Sequence, residues 1–192
     1  MPTSPEAAVV FGRADPIVAR AAGELAIANL AEIMVITGGV GKDTGDLLKR
    51  GYRSEAHYLG ARLEEDAKRN NYRLPEVVLE EKATNGGENA RYSLDILTNA
   101  GIDTGTMTAV AHATSARRLA ETLKHETGKK TGKSSVVHIK PSAYSFDPLN
   151  PSDRDEAAAE LLRLADWPEK GLLGKQTDLP EELVEFVRDT HK

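Results

Sequence analysis

Short apolar runs alternate with amphipathic stretches along most of this chain, and that alternation constrains its fold more than any other feature. The runs Ala7–Phe11, 33–36, 77–79, 107–111 and 135–139 are brief and largely apolar, as strands covered on both faces should be. Between the first two, Ala19, Ala22, Leu25, Ala26 and Leu30 recur at helical spacing, and Ala56, Leu59, Leu63 and Ala67 do so further on. Asp15 followed by Pro16 marks a helix start, an N-cap with proline at the first helical position. Helices are also expected over 54–70, 88–100 and 115–126, with 40–51 as loop. Regular alternation of this kind implies right-handed crossovers and a mainly parallel sheet. The expected fold class is therefore α/β, a Rossmann-like three-layer α/β/α domain of about five strands over residues 1–150.

After Pro141 the character changes. A stretch rich in Pro, Ser and aromatic residues precedes two further helical patterns, near 155–165 and 179–190. Residues 151–192 are expected to form a helical extension packing on the same domain. Tyr144 and Phe146 in the preceding loop are expected to pack inward rather than flank a ligand.

Composition narrows the function classes. The 192 residues include no cysteine, which removes disulfides, thiol nucleophiles and zinc–thiolate sites. The net charge of −5 argues against a dedicated partner among nucleic acids or anionic membranes. No apolar run approaches the roughly 18 residues of a membrane span, so none is expected. The N-terminus lacks the basic and apolar regions of a signal peptide, and a cytoplasmic location is expected.

In open parallel sheets, ligands bind beyond the carboxyl ends of the strands, where the strand order reverses. Gly12-Arg13-Ala14-Asp15, Thr37-Gly38-Gly39-Val40-Gly41, the segment from Glu80 to Asn89, and His112-Ala113-Thr114 are the loops to consider. The glycine-rich loop from Thr37 to Gly41, extended by Lys42 and Asp43, has the outline of a phosphate-binding P-loop. That reading fails on sequence, because Ile36 stands where a glycine is needed and Asp43 where Ser or Thr would hold magnesium. Gly38, Gly39 and Gly41 still permit close backbone approach to a ligand. Thr84 or Asn85 is suited to cap the helix that follows, and Glu88 in its first turn suits the helix dipole or a ligand equally. Glu55, after Arg53 and Ser54, has the same two readings. His112, Thr114, Arg117 and Arg118 form a possible anion-binding group.

In order along the chain, these residues resemble the YdcF-like family, which is related to the SanA and ElyC envelope proteins. Ile36-Thr37-Gly38-Gly39-Val40-Gly41 resembles its (I/V)-S-G-G segment, and Arg53, Glu55 and Ala56 its R-x-E-A element. Glu80 and the run Thr84-Asn85-Gly86-Gly87-Glu88-Asn89-Ala90-Arg91 resemble its most diagnostic stretch, and Thr114 with Arg117-Arg118 its T-x-x-R-R. The resemblance spans about 7–140 and implies a polar pocket on a Rossmann-like domain, with S-adenosylmethionine as the cofactor associated with YdcF itself.

Three functions remain open on this reading. The first is a small-molecule-binding protein or enzyme whose ligand is of nucleoside type, such as S-adenosylmethionine. Its candidate binding residues are Gly12, Thr37, Gly38, Gly39, Gly41, Arg53, Glu55, Thr84, Asn85, Gly87, Glu88, Asn89, His112, Thr114 and Arg117. Another is a hydrolase or transferase acting on a phosphorylated or glycosylated envelope intermediate, with Glu80 or Glu88 as general base and no expected metal ligands. The third is a non-catalytic regulatory domain.

Overall fold

The computed structural model describes residues 7–41, 44–144, 147, 149–174, 176 and 178–190. Five strands, β1 (Ala7–Phe11), β2 (Ile33–Thr37), β3 (Glu76–Glu80), β4 (Thr106–Ala111) and β5 (Val136–Pro141), form one parallel sheet of order β3-β2-β1-β4-β5. The chain moves outward from β1 through β2 to β3, then returns to the other side of β1 for β4 and β5. The order reverses between β1 and β4, so a crevice opens beyond their carboxyl ends.

Helices α1 (Pro16–Ile27) and α3 (Glu55–Asn70) cover one face of the sheet. There Val18, Ala22, Leu25, Leu59 and Leu63 pack on Ala8, Val10, Met34 and Ile36. Helices α4 (Gly86–Asn99) and α5 (Ala116–Thr131) cover the other, with Leu94, Leu97, Leu119 and Leu123 against Val9, Phe11, Val35 and Met107. Alternate residues of β1 thus enter opposite cores, which is why the strand is apolar throughout rather than at every other position. The Rossmann-like α/β/α architecture is the one the alternation implies.

Local differences from the sequence reading have simple causes. A five-residue helix, α2 (Gly45–Lys49), lies within 40–51; only Leu47 of it is buried, too few apolar positions to show a period. Helix α6 (Pro151–Asp166) begins four residues before 155, because the Asn150 side chain accepts from Ser152 N and Pro151 occupies its first turn. Helix α7 (Glu181–Thr190) follows. Strand β5 is an edge strand whose Val136 and Ile139 are exposed. Lys42, Asp43 and Phe146 lie outside the described residues. Among the described residues no helix is long and apolar enough to cross a membrane.

Candidate functional site

Beyond the crevice between β1 and β4 lies a cavity of about 960 Å³. Gly12 and Gly38 form its floor, and both positions require glycine. A methyl group on Gly12 would stand 2.6 Å from the Thr37 carbonyl oxygen and 2.8 Å from Glu55 Oε2. Gly38 has φ of +141°, a region that side-chain-bearing residues avoid. The α3 start docks on this floor, because Glu55 N donates to the Gly39 carbonyl and Ala56 N to that of Gly38. Ser54 caps α3 by accepting from His57 N, so the Glu55 carboxylate is delivered beside the two glycines.

On the opposite wall, Asn85 caps α4 by accepting from Glu88 N at 3.0 Å. Glu88 turns back, accepting from Thr84 N and Thr84 Oγ1, both at 2.8 Å. Those bonds hold its carboxyl below the usual range, the backbone donor contributing most. Glu80 is likewise committed: Thr37 Oγ1 donates to its Oε2 at 2.6 Å, while Lys82 N and Ala83 N donate to its Oε1. Thr37 Oγ1 also lies 3.2 Å from Asn89 Oδ1. Glu80 and Glu88 thus shape the loop that carries Thr84, Asn85 and Asn89 to the cavity.

Of the residues expected from sequence, Gly12, Gly38, Gly41, Glu55, Thr84, Asn85 and Asn89 line the cavity directly. Thr37, Gly39 and Glu80 support that floor from beneath. Gly87 sits in the first turn of α4, where a methyl group would approach Asn85 Oδ1 to 3.3 Å. Arg53 is turned outward to Glu81, at 2.9 Å. Arg117 also faces away, toward Asp178 and Gln176. Its neighbour Arg118 is the one that lines the cavity.

His112 is buried at the end of β4, its ring 4.5 Å from that of Tyr144. Its Nδ1 is 2.8 Å from Thr114 Oγ1, which in turn donates to Glu156 Oε1 at 2.6 Å. The single Thr114 proton goes to the carboxylate, so His112 Nδ1–H must be the donor to Thr114. That tautomer leaves the Nε2 lone pair without a hydrogen-bond partner among the described residues, 3.8 Å from Asp15 Oδ2. Burial, followed by the nearby Arg13 charge, lowers the imidazole pKa and keeps it neutral.

The third wall is α6, which the sequence alone marks only as a packing extension. Ser152, Glu156, Ala159 and Arg163, spaced at four, three and four residues, line the cavity together with Asp155 and Glu160. Arg13, in the loop after β1, binds both oxygens of Glu156, at 2.5 and 3.1 Å. Arg118 likewise binds both oxygens of Glu160, which also accepts from Arg163 at 2.6 Å. Trp167 lies against the Arg118 guanidinium, 5.0 Å from ring centre to carbon. Glu156, Glu160 and Trp167 are participants that sequence reasoning missed, while Arg13 and Asp15 were included only as part of the loop after β1. For Glu156 and Glu160 the available signal is a polar stripe on α6, opposite Ala157, Ala158 and Leu161, and it reads equally as a solvated face.

The bond to Arg13 holds the Glu156 carboxyl at about 2, down from 4.5. A depressed carboxylate stabilises the folded state above its ordinary pKa and loses that contribution as pH falls through the folded value. The stability difference between the parent protein and Glu156→Gln should therefore be constant above about pH 4.5 and vanish near pH 2. Urea denaturation of both proteins across that interval checks it.

The sequence matches no known family model and no curated protein.

Proposed function

We propose that this chain binds a small nucleoside-type ligand carrying a cationic group, of the class of S-adenosylmethionine, in the cavity at the strand ends. The observation that carries the reading is the charge of the cavity wall. Five carboxylates (Asp15, Glu55, Asp155, Glu156, Glu160) face three arginines (Arg13, Arg118, Arg163) there. An acid-rich lining attracts a sulfonium or ammonium group and repels a polyphosphate that lacks magnesium. Glu55, set among Gly12, Gly38 and Gly41, is the acceptor for ribose hydroxyls or an amino group, and the glycine backbone allows the ligand to lie close. Asn85 and Asn89 orient its polar edge. The resemblance to the YdcF-like family supports the same choice.

Isothermal titration with S-adenosylmethionine tests this. Saturable binding is expected, weakened roughly tenfold or more by Glu55→Gln, since a hydrogen bond to a charged acceptor is worth about 1.5–3 kcal/mol. No heat at millimolar ligand with a folded protein would reject it. That result would turn attention to the alternative reading, a hydrolase or transferase acting on a phosphorylated or glycosylated intermediate. The specific support for this alternative is the pair Arg13 and Arg118 on the cavity wall, whose guanidinium groups suit an anionic substrate.

A further inference from the structure

We propose that Arg13 and Arg118 form a binding site for a ligand bearing two linked anionic groups, of diphosphate type, and that α6 occupies this site as a tethered competitor. Both arginines line the cavity from the sheet domain, Arg13 beyond β1 and Arg118 in the first turn of α5. Each presents a two-nitrogen fork, Nη1 and Nη2 in Arg13, Nε and Nη2 in Arg118. Each fork holds both oxygens of one carboxylate, the geometry with which arginine also grips phosphate. The two carboxylates come from positions 156 and 160, neighbours one helical turn apart at about 5–6 Å. The phosphoryl groups of a diphosphate lie closer together than this, so such a ligand meets the two forks through the oxygens at its opposite ends. The start of α4 adds to the attraction, because a methyl group on Gly86 would stand 3.1 Å from Arg118 Nη1, placing the positive end of that helix beside the fork.

The way α6 is docked makes it displaceable. Its buried residues are Asp153, Glu160 and Leu164, so charged groups rather than an apolar stripe hold it to the sheet domain. Its apolar residues Ala157, Ala158 and Leu161 face the groove shared with Leu183 and Phe186 of α7. An incoming dianion leaves both guanidinium groups paired, so exchange avoids the large cost of a buried lone charge. The exchange also changes what the cavity selects. Without α6, Arg13 and Arg118 balance Asp15 and Glu55; α6 adds three carboxylates and one arginine, a net change of −2. The closed form is acidic, and the form with α6 displaced is open to anions. Tethered carboxylates act at high effective concentration, so the apparent affinity for a free anion is reduced accordingly.

Trp167, the sole tryptophan, stacks on Arg118 and reports whether α6 is docked. Pyrophosphate is titrated at constant ionic strength into the parent protein and into Glu156→Gln/Glu160→Gln, with emission and calorimetry as readouts. A saturable change in Trp167 emission is expected in the parent at millimolar pyrophosphate. The double variant should bind roughly tenfold or more tightly, and adding Arg118→Gln should abolish that binding. If the double variant fails to fold, Glu156→Gln alone serves, with a smaller gain in affinity. Pyrophosphate no more effective than chloride at equal ionic strength, or equal affinity in parent and variant, would overturn the proposal. The readout is independent of whether S-adenosylmethionine binds.

Discussion

Replacing Glu160 with alanine is expected to release α6 from the sheet domain. The Arg118 and Glu160 side chains are 11% and 8% exposed, so the pair is effectively out of water. Removing one partner of such a pair leaves the other charge buried, at a cost of about 3–5 kcal/mol. The helix can avoid that cost only by undocking, which lets water reach Arg118. Docking should weaken by a factor of roughly 100 or more. Trp167 emission should shift to the red, and amide exchange should accelerate over 151–167, while protection in β1, β2 and β4 persists. The double substitution Arg118→Met/Glu160→Leu removes the two buried charges, leaves the 39% exposed Arg163 to water and should restore docking, because apolar groups of similar volume replace a buried pair with little loss. Unchanged emission in Glu160→Ala would mean that the ion pair does not hold the helix.

The other large effect is expected at Glu80. This residue is 6% exposed, and its carboxylate accepts from Thr37 Oγ1, Lys82 N and Ala83 N. Alanine would strand the two backbone donors and leave Thr37 only Asn89, and hydrogen bonds to a charged acceptor contribute about 1.5–3 kcal/mol each without adding fully. A loss of about 3 kcal/mol in global stability is expected by urea denaturation. The same loop is tied to the cavity floor, since Gly39 N donates to the Ala83 carbonyl at 2.7 Å. Ligand affinity should therefore fall with stability. Glu80→Gln keeps a carbonyl oxygen for the two amides and lets Thr37 turn its proton to Asn89, so it should recover most of both. A Glu80→Gln protein with full stability and no ligand binding would instead assign Glu80 a direct contact with the ligand.

Much of the framework was legible from local pattern. Asp15-Pro16 starts α1, Asn85 caps α4, and the apolar runs are the strands, because capping and burial on both faces depend on residues close in sequence. The glycine loop was visible for the same reason, since Gly38, Gly39 and Gly41 follow a buried strand, although a plain tight turn gives the same pattern. Glu80 and Glu88 were visible as carboxylates near the strand ends but not as acceptors for Thr37, Lys82, Ala83 and Thr84. Choosing between base and brace required knowing which donors lie within hydrogen-bonding reach.

The alternation of apolar runs and amphipathic stretches by itself determined the α/β class and the parallel sheet, because helix and strand periods are written into neighbouring residues. Only the tertiary structure decided which charges meet. Arg13 and Glu156 are 143 residues apart, and Arg118 and Glu160 are 42 apart. An ion pair leaves no period in either segment, so Glu156 and Glu160 read as the solvated face of a terminal helix. Folding brings the loop beyond β1 and the first turn of α5 to the same crevice, and there two local surfaces become one wall of a cavity.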